Sequence, residues 1–182
     1  MHNPRPLAFA THGEKQTISI GRALGKLLKP GDVIALFGEL GSGKTRLTQG
    51  IAQGLNVPAC ERVCSPSFAL VHEYRGDLVV YHMDFYRLQE GISEPDLGLE
   101  DYLWGDGVCV IEWAERIEHL FPPDYLEVRM RILEHDKREL ILLAHGQRSA
   151  EILGQLGRLP GSITPTAFAD GETTAGGDRN WD

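Results

Sequence analysis

Val33-Ile34-Ala35-Leu36-Phe37-Gly38-Glu39-Leu40-Gly41-Ser42-Gly43-Lys44-Thr45 is the stretch whose reading decides the fold. Val33 to Phe37 is a short continuous apolar run, the pattern of a strand buried on both faces of a sheet. Gly38 to Thr45 matches the phosphate-loop pattern G-x-x-x-x-G-K-[ST]. Beyond it, Leu47, Ile51 and Leu55 recur every four residues, so Lys44 to Leu55 reads as a helix that Asn56-Val57-Pro58 ends. Strand, glycine-rich loop and helix in that order are what the motif needs. Gly38, Gly41 and Gly43 permit dihedrals a side chain would forbid. Successive backbone N–H groups, including those of Leu40 and Ser42, then turn inward around an anion, helped by the field of the helix N-terminus. Lys44 reaches the β- and γ-phosphates, and Thr45 offers its hydroxyl to Mg²⁺. A glycine-rich turn with an incidental Lys-Thr is the bland alternative, and the flanking strand and helix argue against it.

Working outward, Ile20, Ala23, Leu24, Leu27 and Leu28 share one helical face, which predicts a helix over 14–29, stopped by Lys29-Pro30-Gly31-Asp32. Ser67 to Tyr74 and Leu78 to Met83 are strand-like and joined by Arg75-Gly76-Asp77, a hairpin connection. A short acidic helix is expected over 93–102, and Val108 to Ile111 is another continuous apolar strand. Leu126, Val128, Met130 and Ile132 alternate with polar residues, and Glu139 to Ala144 reads as the hairpin partner of that strand. A last helix spans 148–159. The pattern predicts an α/β P-loop NTPase fold: a mostly parallel sheet with an antiparallel hairpin portion and flanking helices. Residues 1–159 form the expected ATPase domain. From Pro160 to Asp182 apolar residues are few, and this segment reads as a flexible tail.

Composition narrows the partners. A chain of 182 residues, 42% hydrophobic and 24% charged, suits one soluble domain. Its net charge of −8 argues against a uniformly basic nucleic-acid binder. The sequence lacks a run of ~20 apolar residues able to span a membrane, and the start lacks a signal-peptide core, so a cytoplasmic location is expected. Three cysteines, Cys60, Cys64 and Cys109, fit neither a disulfide framework nor a zinc site and are expected to be buried or half-buried thiols.

A phosphate loop needs an acidic partner. Asp84 and Glu112 each follow a strand, and in open α/β sheets ligands sit beyond the carboxyl ends of strands. One carboxylate on the metal and one orienting water is a sensible division. Ser65-Pro66-Ser67 stands where γ-phosphate sensing is common and its hydroxyls could bind a phosphate oxygen or Mg²⁺, although taken alone a capped turn before a strand is the favoured reading. Arg87 suits either phosphate or a salt bridge. His72 and His82 read as satisfied core residues, and Trp113 either stacks near the nucleotide or packs in the core, the residues alone favouring the core. None of the three asparagines begins an N-K-x-D motif, and D-x-x-G is missing, so ATP is the expected nucleotide.

Taken in order, the loop, Ser65-Pro66-Ser67-Phe68, Tyr81-His82-Met83-Asp84-Phe85-Tyr86-Arg87-Leu88 and Ile111-Glu112-Trp113 closely resemble the TsaE family, bacterial ATPases of tRNA threonylcarbamoyladenosine biosynthesis. The likeness runs from the first helix to the terminal hairpin. It implies a Mg²⁺-dependent ATPase needed to form the threonylcarbamoyl group on adenosine 37 of tRNAs reading ANN codons. The partner would be the TsaD–TsaB complex, with tRNA contacted through it. It implies that Lys44 and Thr45 bind phosphate and Mg²⁺, that Glu112 is the second metal ligand, and that Asp84 is the acid near the γ-phosphate. Trp113 and Arg138 would lie near the nucleotide. Ser67 replaces the threonine usual in the family, keeping the hydroxyl and losing a methyl group. A small-molecule kinase and a nucleotide-gated scaffold are the competing readings. The kinase would need an arginine-bearing lid, and an Arg-rich segment is missing between Asp84 and Glu112.

Overall fold

Among the described residues, the apolar run before the glycine-rich loop lies at the centre of a seven-stranded mixed sheet. The structure, a computed structural model, describes residues 5–66, 69–87 and 98–159. Strands β1 (Leu7–His12), β2 (Val33–Phe37), β3 (Val71–Arg75), β4 (Val79–Asp84), β5 (Val108–Glu112), β6 (Leu126–Glu134) and β7 (Lys137–Ala144) are arranged β1-β7-β6-β2-β5-β4-β3. The pairs β6/β2, β2/β5 and β5/β4 are parallel, and β1/β7, β7/β6 and β3/β4 are antiparallel. A parallel centre therefore carries an antiparallel extension at each edge. Both expected hairpins are present. β1 is an addition that the sequence pattern did not give.

The continuous apolar composition of β2 and β5 follows from burial on both faces. One face packs Ile34, Leu36, Val108, Val110 and Val128 against helices α1 (Glu14–Gly25), α2 (Lys44–Gly54) and α4 (Gln147–Leu156). The other packs Val33, Ala35, Cys109 and Ile111 against the short helix α3 (Leu99–Leu103) and the 3-10 turns Ala114–Arg116 and Glu118–Leu120. Burying each such side chain contributes about 1.5–3 kcal/mol, so the two layers rather than helix propensity hold the elements in place.

The contact between α1 and α2 is unusually close. A Cβ on Gly21 would lie 2.3 Å from the Leu47 carbonyl oxygen, and one on Gly50 would lie 2.2 Å from that of Ile18. Only glycine permits this approach, which fixes the phosphate-loop helix against its neighbour. Two expectations are corrected. Cys60 and Cys64 are exposed, because the segment between α2 and β3 runs over the surface, while Cys109 is buried as expected. Burial pushes the Cys109 thiol up to about 12. The expected tail, Ser67, Phe68 and the first part of the expected 93–102 helix lie outside the described residues.

Candidate active site

Parallel register sets the site. Leu36 pairs with Glu112 across β2/β5, and Glu112 pairs with Asp84 across β5/β4. The phosphate loop leaves β2 one residue after Leu36. Loop and both carboxylates therefore emerge at the carboxyl edge of the sheet. They share a cavity of about 530 Å³ with the start of α1 and the β6–β7 turn. That volume falls within the ~300–1,000 Å³ usual for ligand pockets.

Within the loop, Gly38, Gly41 and Gly43 have φ of 143°, 81° and 105°. Leu40, Gly41, Gly43, Lys44 and Thr45 line the cavity, and Leu40 is exposed at its tip. Gly38 and Ser42 lie underneath: the Gly38 carbonyl accepts from Lys44, and Ser42 is buried. Lys44, only 4% exposed, donates from Nζ to Gly38 O at 2.5 Å and Glu39 O at 3.0 Å. Burial pushes its pKa down from the ordinary 10.5, against the upward pull of Glu112, Glu115, Asp84 and Glu39. The ammonium is thus held in a place that disfavours its charge until an anion arrives.

The carboxylates are held just as firmly. Glu112, 3% exposed, accepts from Thr45 Oγ1 at Oε2 (3.0 Å), and its Oε1 lies 2.8 Å from His82 Nε2. Asp84 accepts the Ser65 hydroxyl at Oδ2 and the Tyr86 backbone N–H at Oδ1 (2.9 Å). Thr45 and Glu112 present hard oxygen donors side by side. Among the described residues there is no cluster of three or more metal-ligating His, Cys, Asp or Glu side chains. This donor set fits Mg²⁺, which takes one or two protein oxygens and completes its sphere with phosphates and water.

Trp113 is half-buried: it packs against the apolar layer of Val33, Ala35, Cys109 and Ile111, as its sequence neighbourhood suggested, and it also lines the cavity. It adopts the left-handed conformation (φ 58°), uncommon for a bulky side chain, at the turn after β5. This turns the indole into the cavity, with Lys44 Nζ 4.1 Å from a ring centroid and Tyr86 packed against it at 4.9 Å. Arg138 lies on the far rim, its Nη1 donating to the carbonyls of His135 (2.9 Å), Glu134 (3.3 Å) and Lys137 (3.4 Å). Ser67 lies outside the described residues.

Sequence reasoning missed the rim made by Gly13, Glu14 and Thr17 at the start of α1 and by Asp136 in the β6–β7 turn. Gly13 N donates to Asp136 O at 2.6 Å because β1 pairs with β7, placing His12 beside Lys137. Their position follows from β1, whose pairing with β7 is long-range.

Comparison with known proteins identifies the family. Residues 11–140 match the family model described as threonylcarbamoyl adenosine biosynthesis protein TsaE. The tRNA threonylcarbamoyladenosine biosynthesis protein TsaE of Bacillus subtilis is 38% identical over 155 residues, covering 85% of this chain and 96% of that protein. The protein of the same name from Treponema pallidum is 39% identical over 126 residues, covering 69% and 92%. The crystal structure of Bacillus subtilis YdiB superposes with a TM-score of 0.74 at 35% identity, over 87% of this chain and 98% of that one. With the family model spanning most of the chain and the fold shared with a solved relative, this protein belongs to the TsaE family of tRNA threonylcarbamoyladenosine biosynthesis.

Proposed function

We propose that the chain is a Mg²⁺-dependent ATPase that supports formation of the threonylcarbamoyl group on adenosine 37 of ANN-reading tRNAs, acting in the cytoplasm on a TsaD–TsaB complex. One observation carries the ATPase reading. Lys44, Thr45, Asp84 and Glu112 come from three separate segments and converge on one cavity. A glycine-rich turn without nucleotide chemistry would not need two buried carboxylates facing it.

On this reading Lys44 exchanges the carbonyls of Gly38 and Glu39 for phosphate oxygens, where its charge is matched rather than merely buried. Thr45 and Glu112 hold Mg²⁺, which would neutralise phosphate charge and polarise the transferred group. Asp84, with both oxygens oriented by Ser65 and Tyr86, orients the attacking water. Phosphoryl transfer needs positioning and charge stabilisation more than covalent help. The chain itself is acidic, which supports tRNA contact through the partners. Among the described residues, no helix is long and apolar enough to cross a membrane.

Reconstitution tests this. The chain is mixed with TsaD–TsaB, threonylcarbamoyl-adenylate, tRNA and ATP, and modified tRNA per complex is counted. The expected result is multiple turnovers only when chain and ATP are both present. An unchanged count with the chain added would overturn the role, and phosphate appearing on a small metabolite instead of in water would favour a kinase.

A further inference from the structure

His82 is fully buried on β4, yet it is not a plain core residue. Burying an imidazole costs several kcal/mol unless its nitrogens are hydrogen-bonded. Here the ring is committed to one partner. Nε2 lies 2.8 Å from Glu112 Oε1, while Nδ1 has no hydrogen-bond partner among the described residues. A side chain kept for packing alone would not need the Nε2 contact, since Val80, two residues back on the same strand face, fills its place with hydrocarbon.

Register explains the contact. His82 pairs with Val110, and Asp84 pairs with Glu112, across the parallel β4/β5 junction. Alternate residues share a face, so His82 sits one step behind the two carboxylates on their own side of the sheet. From there it reaches diagonally to Glu112, a distance long side chains span. With the hydrogen on Nε2, the imidazole donates and the Glu112 carboxylate oxygen accepts. The two oxygens of Glu112 are thereby sorted. Oε1 is tied to the strand behind, and Oε2 is left beside the Thr45 hydroxyl at 3.0 Å, facing the cavity.

We propose that His82 is a positioning residue that fixes Glu112 in the orientation in which it presents Oε2, together with Thr45, to a divalent cation. The inference rests on the reading of Thr45 and Glu112 as the cation's protein ligands. Without the imidazole, Glu112 loses its buried anchor, and Oε1 is left without that partner. The carboxylate then rotates among positions of which one is productive. Such supporting hydrogen bonds are worth about 10–100-fold in metal affinity.

The experiment uses the full chain with three substitutions. The His82→Gln amide nitrogen falls where Nε2 stands and still donates to Glu112. The His82→Asn amide nitrogen falls where Nδ1 stands and does not reach. His82→Leu fills space only. Two quantities are measured on each. One is affinity for a fluorescent ATP analogue with EDTA present. The other is Mn²⁺ affinity of the nucleotide-loaded protein, from the electron paramagnetic resonance signal of free Mn²⁺. Metal-free nucleotide affinity is expected to match wild type in all three. Mn²⁺ affinity is expected to fall about 10–100-fold in Asn and Leu and to be largely restored in Gln. If Leu fails to fold, the contrast between Asn and Gln still decides.

Wild-type Mn²⁺ affinity in the Asn variant would overturn the inference. So would equal losses in Asn and Gln accompanied by weaker metal-free nucleotide binding, which would mark a packing role. Glu112→Gln and Thr45→Val serve as references. If they leave Mn²⁺ affinity unchanged, the metal reading itself fails. If they weaken it while the His82 series does not, only the positioning role fails.

Discussion

The Thr45 hydroxyl donates a 3.0 Å hydrogen bond to Glu112 Oε2, joining the first residues of the phosphate-loop helix to the end of a strand 67 positions away. Both oxygens face the cavity, and each is a hard donor. Replacing either should therefore weaken the cation and spare the nucleotide. Glu112→Gln and Thr45→Val are each expected to reduce ATP hydrolysis in the presence of TsaD–TsaB by on the order of 100-fold, with nucleotide affinity in EDTA unchanged. A titration of hydrolysis rate against Mg²⁺ checks this: part of the loss should return at high Mg²⁺ for Thr45→Val.

Asp84 is one strand further out and is held by Ser65 and the Tyr86 N–H rather than by the phosphate-loop helix. Its removal should act on chemistry instead of binding. Asp84→Asn is expected to leave ATP and Mn²⁺ affinity near wild type while hydrolysis falls about 10²–10⁴-fold, the usual scale for a positioned acid–base group. Single-turnover phosphate release on the partner complex measures it, and an equal loss of ATP affinity would contradict the assignment.

These two acids are legible in the sequence because the apolar runs ahead of them mark buried strands, and such strands aim their ends at ligands. The loop was legible because its glycines and Lys-Thr have few other uses. Two parts of the site were not. Trp113 follows an apolar strand, and no local pattern announces a left-handed tryptophan; packing around Lys44 and Tyr86 selects it. β1 was hidden because Leu7 to His12 pairs on one side only, with a strand about 130 residues downstream, and it follows two prolines. Long-range pairing leaves little local trace. With β1 unread, the Gly13–Thr17 rim and its approach to Asp136 were unreadable too.

Loop glycines should differ sharply in what they tolerate. At Gly38, a Cβ would lie 2.3 Å from the Met130 carbonyl and 2.9 Å from Ser42 Oγ, at a φ of 143°. At Gly41 it would meet nothing within 4 Å, and only the φ of 81° opposes it. Gly41→Ala should cost about 1–2 kcal/mol and Gly38→Ala about 2–5 kcal/mol, adding overpacking to strain. At about 2–4 °C per kcal/mol for a chain of this size, thermal melting resolves the two. Equal shifts would show that the β6 backbone yields.

Away from the cavity, Glu127 is buried at 2% exposure, with Arg129 Nε on Oε1 and His145 Nε2 2.6 Å from Oε2. Burial raises its carboxyl, but the His145 and Arg129 hydrogen bonds and charges outweigh that and hold it below the ordinary 4.5. The unfolded chain therefore binds the proton more readily, and the stabilisation is complete above 4.5 and lost as pH falls through the lowered value. Because both partners are about one-third exposed, Glu127→Gln should cost only about 1–3 kcal/mol at pH 7. Denaturant melts should show the gap from wild type closing below pH 4.5.

Lys44 joins binding and stability with opposite signs. Burial lowers its pKa from 10.5 in the free protein. Between the lowered value and 10.5 the unfolded chain holds the extra proton, so this residue's contribution to stability rises with pH. ATP prefers the protonated ammonium, so affinity falls as pH rises through the same window. Tyr125 and Cys109, both pushed up to about 12, work the other way on stability at alkaline pH, so the effect must be read as a difference. Lys44→Met removes it: wild type minus variant stability should climb between neutral pH and 10.5, and the variant should not bind ATP measurably at any pH. Calorimetry of ATP binding to wild type, repeated in buffers of different ionisation enthalpy, should show proton uptake growing over that window. Binding without proton uptake would mean that Lys44 does not exchange its loop carbonyls for phosphate.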